Sequence, residues 1–463
     1  MKCNLPNEII YQILTYVENE KELLDYRLLN KHQNKLISKY IFNDPDYKLL
    51  KMDLTQFNIL IQKYGALVNN ITISEGLGYR HLDLVYKYCF NITKVFFYGS
   101  SKKYMEFNWS LTHLKHLNKV EVFLLDDLSN RQDLLILKQF HLKQLVLHYD
   151  DIFSINPLLP YFSNLNKLSL YQLNQVNVEL FYNINTSLLS LKELTLQAIK
   201  IDNDAIYYFN TKFNLKLNKF ELEIELFQKE QAKLLIDQPN LKVLNINLNY
   251  YKAKNELLTI YGEYPNLTQL SLNNLNTNDV SLFNKFNNLT SLTLDSYLPI
   301  TEKIFHYLVF DMNTLVHLQL NKCSINESYF NIPKVINKES NLKQFIITKN
   351  EYSFSINYIC FILNHLTHLK EWILPQIDNV HEEEIDNFVK SLVEFDVNFS
   401  NSIHTLYGDL TLTTIPLFHY FIQSLTNLKY LYLNIMDDDL ELSQLSKEFN
   451  NINKDNRITI KFN

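Results

Sequence analysis

Glycine and proline are scarce in this 463-residue sequence, six and ten residues respectively, too little punctuation for long disordered linkers or low-complexity tracts. Cysteine is scarcer still. Cys3, Cys89, Cys323 and Cys360 lie far apart with no CxxC pair, so neither a disulfide framework nor a zinc site is expected. No uninterrupted apolar run reaches the roughly eighteen residues of a membrane helix. The opening Met1-Lys2-Cys3-Asn4-Leu5-Pro6 also lacks the apolar core of a secretory signal, so a soluble chain of the cytoplasm or nucleus is expected, without a membrane partner. Cations are not in excess either: 44 Lys and Arg stand against 50 Asp and Glu, a formal charge of −6. That balance argues against nucleic acid as a partner, because such binding rests on clustered cations that release counterions. HExxH, GxSxG and phosphate-binding glycine loops are missing, Gly76-Leu77-Gly78 being far too short to count as one. The pairs His113/His116 and His365/His368 have ligand-like spacing, but both precede leucines that open strands, where surface or turn roles outweigh metal binding. Neither an enzyme, a metal nor a cofactor is expected.

What the sequence does have is periodicity. With 46% hydrophobic residues, it repeats an apolar residue at positions one, four and six of a unit of roughly 25 residues. The series runs from Val68/Ile71/Ile73 through Ile92/Val95/Phe97, Leu117/Val120/Val122, Leu142/Leu145/Leu147, Leu165/Leu168/Leu170 and Leu191/Leu194/Leu196. It continues to Leu369/Trp372/Leu374, Leu392/Phe395/Val397 and Leu428/Leu431/Leu433, with a last strand at Arg457-Ile458-Thr459-Ile460. Positions four and six alternate with polar neighbours, as a strand with one buried face requires, and position one covers the turn into it. Return segments carry helical spacing instead, as in Ala205, Ile206 and Phe209 or Ile304, Phe305, Leu308 and Val309. No unit buries its apolar side alone, so stability is expected from stacked neighbours. Asn precedes position one at Asn164, Asn240, Asn266, Asn288, Asn341 and Asn427, where its amide suits the backbone of the turn entering a strand. The interval from Leu392 to Leu428 is too long for one unit, and Asn401 to Thr414 reads as an insertion or a degenerate repeat.

These units resemble the leucine-rich-repeat family, and Leu320-Asn321-Lys322-Cys323-Ser324-Ile325-Asn326-Glu327 looks like its cysteine-containing subtype. The resemblance implies an α/β fold: a curved solenoid over 67–463, about 15–16 repeats, irregular at 400–427, with a parallel sheet on the concave face and helices on the convex face. Residues 46–66 are expected to be a linker or an N-terminal cap.

The first forty-odd residues have another rhythm. Ile9, Ile10, Ile13, Leu14 and Val17 follow helical spacing behind Pro6, Asn19 and Glu22 resemble a helix-start box before Leu23 and Leu24, and Asn30 is suited to cap a third helix burying Leu36, Ile37, Tyr40 and Ile41. Leu5-Pro6-x-Glu8-Ile9-x-x-x-Ile13-Leu14-x-Tyr16-Val17, then Leu23-Leu24-x-x-Arg27-Leu28-Leu29-Asn30-Lys31 and Leu36-Ile37, looks like an F-box over residues 1–45. Gln33 stands where that family usually carries Trp. The resemblance implies docking to the Skp adaptor of an SCF-type cullin ubiquitin ligase through Leu5, Pro6, Ile9, Ile13, Leu14, Leu28 and Lys31, the repeats holding a protein substrate for ubiquitin-dependent degradation. A helical plug that merely caps the first repeat fits the same residues. The alternative for the whole chain is a leucine-rich-repeat scaffold or GTPase-regulator-like protein without a ligase.

Positions five and seven of each strand point away from the core and are free to encode recognition. Position seven reads Tyr98, Phe123, His148 and Tyr171 in successive units, beside Phe96 and Val146 at position five. This stripe either anchors a target or is covered by the preceding residues 43–66. Position three carries Lys94, Lys119, Lys167 and Lys219 early but Glu371 late, with Glu394 and Asp396 beyond it, so the inner surface is either charge-polarised or ordinarily solvated. Asp437-Asp438-Asp439 reads as a solvated loop.

Overall fold

The computed structural model describes residues 54–74, 79–99, 114, 116–124, 137–148, 155–225, 233–235, 239–248, 259–261, 264–273, 280–295, 300–321, 323, 325–330, 340–348, 358, 361–362, 365–374, 387, 389–390, 402–411, 414–436, 442–453 and 457–462. The F-box-like segment, with Leu5, Pro6, Ile9, Ile13, Leu14, Leu28 and Lys31, lies outside them, as do Leu392/Phe395/Val397, Glu394, Asp396 and Asp437-Asp438-Asp439. The chain divides into two compact units, Met1–Leu215 and Lys216–Asn463.

In the first unit six strands pair in parallel in the order of the sequence: β1 (Asn70–Ser74), β2 (Lys94–Gly99), β3 (Lys119–Leu124), β4 (Gln144–His148), β5 (Lys167–Val176) and β6 (Glu193–Ile201). Helix α1 (Leu54–Tyr64) precedes β1, and α2 (Tyr79–Tyr88), α3 (Val178–Ser187) and α4 (Asn203–Lys212) occupy returns. Val95, Val120, Leu145, Leu168 and Leu194 stand in one register row, and Phe97, Val122, Leu147, Leu170 and Leu196 in the next. All ten are buried, and each contributes roughly 1.5–3 kcal/mol against exposure. On α1, Phe57 and Ile61 are buried, and the Phe57 ring meets His81 of α2 at 5.1 Å.

The second unit repeats the scheme. Its parallel sheet runs β7 (Lys219–Ile224), β9 (Val243–Leu248), β11 (Gln269–Asn273), β12 (Ser291–Asp295), β13 (His317–Asn321), β14 (Gln344–Thr348), β15 (Glu371–Ile373), β16 (Thr405–Leu410), β17 (Tyr430–Ile435) and β18 (Thr459–Phe462). Among its returns are α5 (Glu302–His306), which widens into a π-helical turn at Tyr307–Asp311, α6 (Ile415–Ser424) and α7 (Leu442–Ile452). Two returns instead hold β8 (Lys233–Leu235) and β10 (Thr259–Tyr261), which pair with each other in parallel. Ala205, Ile206, Phe209, Ile304, Phe305, Leu308 and Val309 are all buried, as their helical spacing predicts.

One backbone motif recurs through both units. The carbonyl of position two accepts two N–H groups from the next unit, as Asn69 does from Thr93 and Lys94, Lys242 from Thr268 and Gln269, and Lys370 from His404 and Thr405. The strand entries of successive units are thereby locked at one height, which is what holds positions four and six in rows. The repeating strand-and-return architecture rests on this ladder. The Asn before position one also reaches between units rather than into its own turn: Nδ2 of Asn91, Asn266, Asn288 and Asn341 donates to Ala66, Pro239, Pro265 and Asn313 carbonyls at 2.6–2.8 Å.

The late repeats decide between two readings of one stretch. Trp372 of β15 stands directly opposite Leu406 of β16, so these two strands are neighbours in the sheet. Strand β16 lies within the stretch Asn401 to Thr414, which is therefore a degenerate repeat rather than an insertion, with Gly408 at position six. A Cβ there would meet Phe418 Cζ of α6 at 2.6 Å, so the Phe418 ring fills the volume that Leu fills elsewhere.

Candidate functional site

The outward residues of β2 to β5 form the site. Since positions four and six face the helices, five and seven must face the other way. The parallel register then brings position-seven residues side by side, Tyr98 opposite Phe123, Phe123 opposite His148, and His148 opposite Tyr171. Ring centroids are 4.9 Å apart at 23° for Tyr98 and Phe123, 5.3 Å at 48° for Phe123 and His148, and 4.5 Å at 14° for His148 and Tyr171. Tyr98 is 49% exposed, while Phe123, His148 and Tyr171 are half-buried. The sequence thus places all four in one contiguous row. The described part of 43–66, helix α1, lies against α2.

Position five behaves differently. Phe96 is half-buried under the Lys119 ammonium, which lies 4.7 Å from its ring centroid. Val146, expected as an outward contact residue, is only 6% exposed, and its register neighbour Ser169 only 1%. Val146 is therefore a correction: it lies sunk between taller neighbours and offers a partner little area.

Charge on this face is largely paired, which also revises the basic early surface. Lys119 meets Glu121 at 3.3 Å and Lys167 meets Glu193 at 3.4 Å; in the second unit Lys219 meets Glu221 at 3.0 Å. His148 Nε2 lies 3.9 Å from Glu121 Oε1. Burial nevertheless holds the imidazole below its ordinary pKa, with Glu121 opposing, so at neutral pH the row is uncharged.

Sequence reasoning missed two features. Ser169 has no hydrogen-bond partner for its buried hydroxyl among the described residues; a serine inside L-x-L looks like any solvated position, so nothing in the sequence marks it. The other is a second row, in the second unit: Tyr407 stacks on Tyr432 at 4.8 Å and 11°, and Lys461 Nζ lies 5.6 Å from the Tyr432 ring centroid. Tyr407 and Tyr432 are 25 residues apart, the repeat length, and were legible had Gly408 been accepted at position six.

Of the remaining candidates, His113, Cys3 and Cys360 lie outside the described residues. His365 packs its ring on Phe310 and Phe361 at 5.9 and 5.7 Å, and among the described residues no group of three His, Cys, Asp or Glu side chains is placed to hold a metal ion. Cys323 is buried and its thiol donates to the Leu294 and Asn321 carbonyls at 3.6 and 3.4 Å. Burial pushes the Cys89 thiol up to about 12, which leaves it protonated and unreactive.

No protein-family model and no curated protein matches the sequence. Solved structures similar to the chain include a leucine-rich-repeat protein of Leptospira interrogans, 15% identical, with a TM-score of 0.36 over 89% of this chain and 98% of that one. A chain of the Toll–Spatzle complex of Drosophila is also 15% identical, with a TM-score of 0.38 over 86% of this chain and 50% of its own.

Proposed function

We propose that this chain is a non-catalytic protein-interaction scaffold whose first unit holds a protein target on the aromatic row, and that its N-terminal segment is an F-box presenting that target to an SCF-type ubiquitin ligase. The observation that carries the target face is the row itself. Rings on four adjacent strands make a continuous uncharged ridge on an outward sheet face, and exposed aromatic clusters of this kind are where interface energy concentrates. The ligase role is supported by the Leu5-Pro6 to Ile37 pattern in the sequence. In this reading the scaffold works by proximity: holding the target near the loaded conjugating enzyme lowers the entropic cost of transfer, while covalent chemistry belongs to other subunits. It works in the cytoplasm or nucleus, where that machinery resides, with neither nucleic acid nor membrane as partner.

The test is capture of purified Skp adaptor by the full chain. Binding lost in the double variant Leu5→Ala, Pro6→Ala is expected; no binding by the wild type overturns the ligase role and leaves a scaffold without a ligase, the reading that the repeats by themselves favour. Independently, Phe123→Ala with Tyr171→Ala is expected to release a captured target while the melting temperature holds, and undiminished capture sinks the assignment of the face.

A further inference from the structure

In the second unit the ladder of strand entries ends on a side chain. Each position-two carbonyl accepts N–H groups from the next unit, His404 from Lys429 and Tyr430, and Lys429 in turn from Thr459. The next carbonyl in that series belongs to Ile458. It accepts instead from Nδ2 of Asn453 at 2.7 Å, and the Ile458 N–H donates to Oδ1 of the same amide at 3.2 Å. Asn453 is only 6% exposed. One side chain thus offers Ile458 both the donor and the acceptor that a neighbouring strand would offer. From this geometry we infer that Asn453 is an edge guard, filling the first rung of the free edge of β18 and keeping a second copy of the chain from adding a strand there.

The edge needs guarding. Among the described residues β18 has β17 as its strand neighbour and stands last in the order of the sheet. Because Thr459 bonds toward β17, alternation turns the N–H and C=O groups of Ile460 and Phe462 away from it, onto the free edge. The side chains of Ile460 and Phe462 are half-buried, whereas Leu431 and Leu433 opposite them are fully buried. An open edge beside partly open apolar side chains is a template for pairing with another chain. Lys461, between the two, adds charge to the edge, a second deterrent to such pairing.

The amide is held by more than its own turn. Asn453 directly follows α7 and donates its backbone N–H to the Phe449 carbonyl at 3.0 Å. Phe449, 1% exposed, packs edge-on against Phe462 of β18 at 5.7 Å and against His419 of α6 at 5.1 Å. Arg457 ties the start of β18 to α6 through the Ile422 and Thr426 carbonyls, at 2.5 and 3.4 Å. Position one is aliphatic in every earlier unit of the series; here it is Arg457, and the buried aliphatic residue is Ile458, at 4%. The entry to β18 therefore departs from the pattern at the same place as the ladder does.

Size-exclusion chromatography of the full chain with light scattering, over a range of concentrations, tests this without any knowledge of a target. Asn453→Ala opens the rung and is expected to self-associate at least about tenfold more tightly than the unaltered chain. Ile460→Pro removes an N–H from the free edge, a place where proline is tolerated. Added to Asn453→Ala, it is expected to return association to the level of the unaltered chain. An Asn453→Ala variant that circular dichroism shows folded and that associates no more than the unaltered chain overturns the guard. Association that survives Ile460→Pro overturns it too, because it then comes from a loosened α7 and not from the strand edge. If Asn453→Ala does not fold, amide hydrogen exchange of the unaltered chain decides. Ile458 is expected to exchange at least about tenfold more slowly than Ile460 and Phe462, and equal rates at the three amides overturn the inference.

Discussion

Asn266, Asn288 and Asn341 look alike in sequence, and their structural role was readable from recurrence at one offset before position one. Which carbonyl they serve was not, because the acceptor belongs to the preceding unit and only the register reveals it. Each amide donates one neutral, solvent-exposed bond at 2.6–2.8 Å, worth about 0.5–1.5 kcal/mol. Asn288→Ala is expected to lower stability in urea by about 1 kcal/mol, and Asn266→Ala with Asn288→Ala by about twice that, the sites being separate bonds at adjacent turns. Asn288→Asp should cost more than Ala, since it sets a carboxylate against the Pro265 carbonyl; a value below that of Ala would refute the inter-unit bond. Val146 teaches the same lesson from the other direction: strand alternation places it outward correctly, but exposure depends on the height of its neighbours, which no spacing rule contains.

At the scale of elements, repeats with leucine at positions four and six were legible, and the one that replaces position six by glycine was not. A search for leucine at position six passes over Gly408, although Leu406 two residues before it stands directly opposite Trp372 of β15. The compensation is on a different element, since Phe418 of α6 supplies the missing volume. Gly408→Leu is expected to destabilise by about 1–3 kcal/mol through overpacking, and Phe418→Ala by about 3–5 kcal/mol through a cavity. Combined, the two should cost less than the sum of their separate effects, measured as a coupling energy in a double-mutant cycle; strict additivity would show that ring and glycine do not share one space. Strand length also escaped the sequence. β5 and β6 continue past the L-x-L core because Leu173 and Val176 pair with Ala198 and Ile201 after a register shift, where Gln172 takes φ 61°. Helix α3 was easier to place, its start being marked by Asn177, whose side chain accepts from Leu180 N at 2.9 Å.

At the scale of the whole molecule, both units share one electrostatic weakness. Burial holds His148 in the first unit and His365 and His419 in the second below the ordinary imidazole value, with His306 adding to the effect at His365 and Glu121 and Glu448 opposing it at the other two. An imidazole depressed in the folded state takes up its proton more readily when unfolded. The unfolded chain therefore binds more protons once the pH drops below about 6.5, and stability must fall with pH there. Well above that value, from about pH 7.5 upward, all three are neutral in both states and contribute no slope. The window down to about pH 5.5 lies above the range in which Asp and Glu titrate, so histidine dominates it. Thermal unfolding is expected at nearly one temperature between pH 8 and 7.5 and at progressively lower temperatures from 7 to 5.5. His365→Gln, which removes a titrating ring from the Phe310 and Phe361 contacts, should lower the melting temperature at pH 8 yet flatten its fall toward pH 5.5. An unchanged slope in that variant would mean that His365 does not hold its proton-free form in the folded chain.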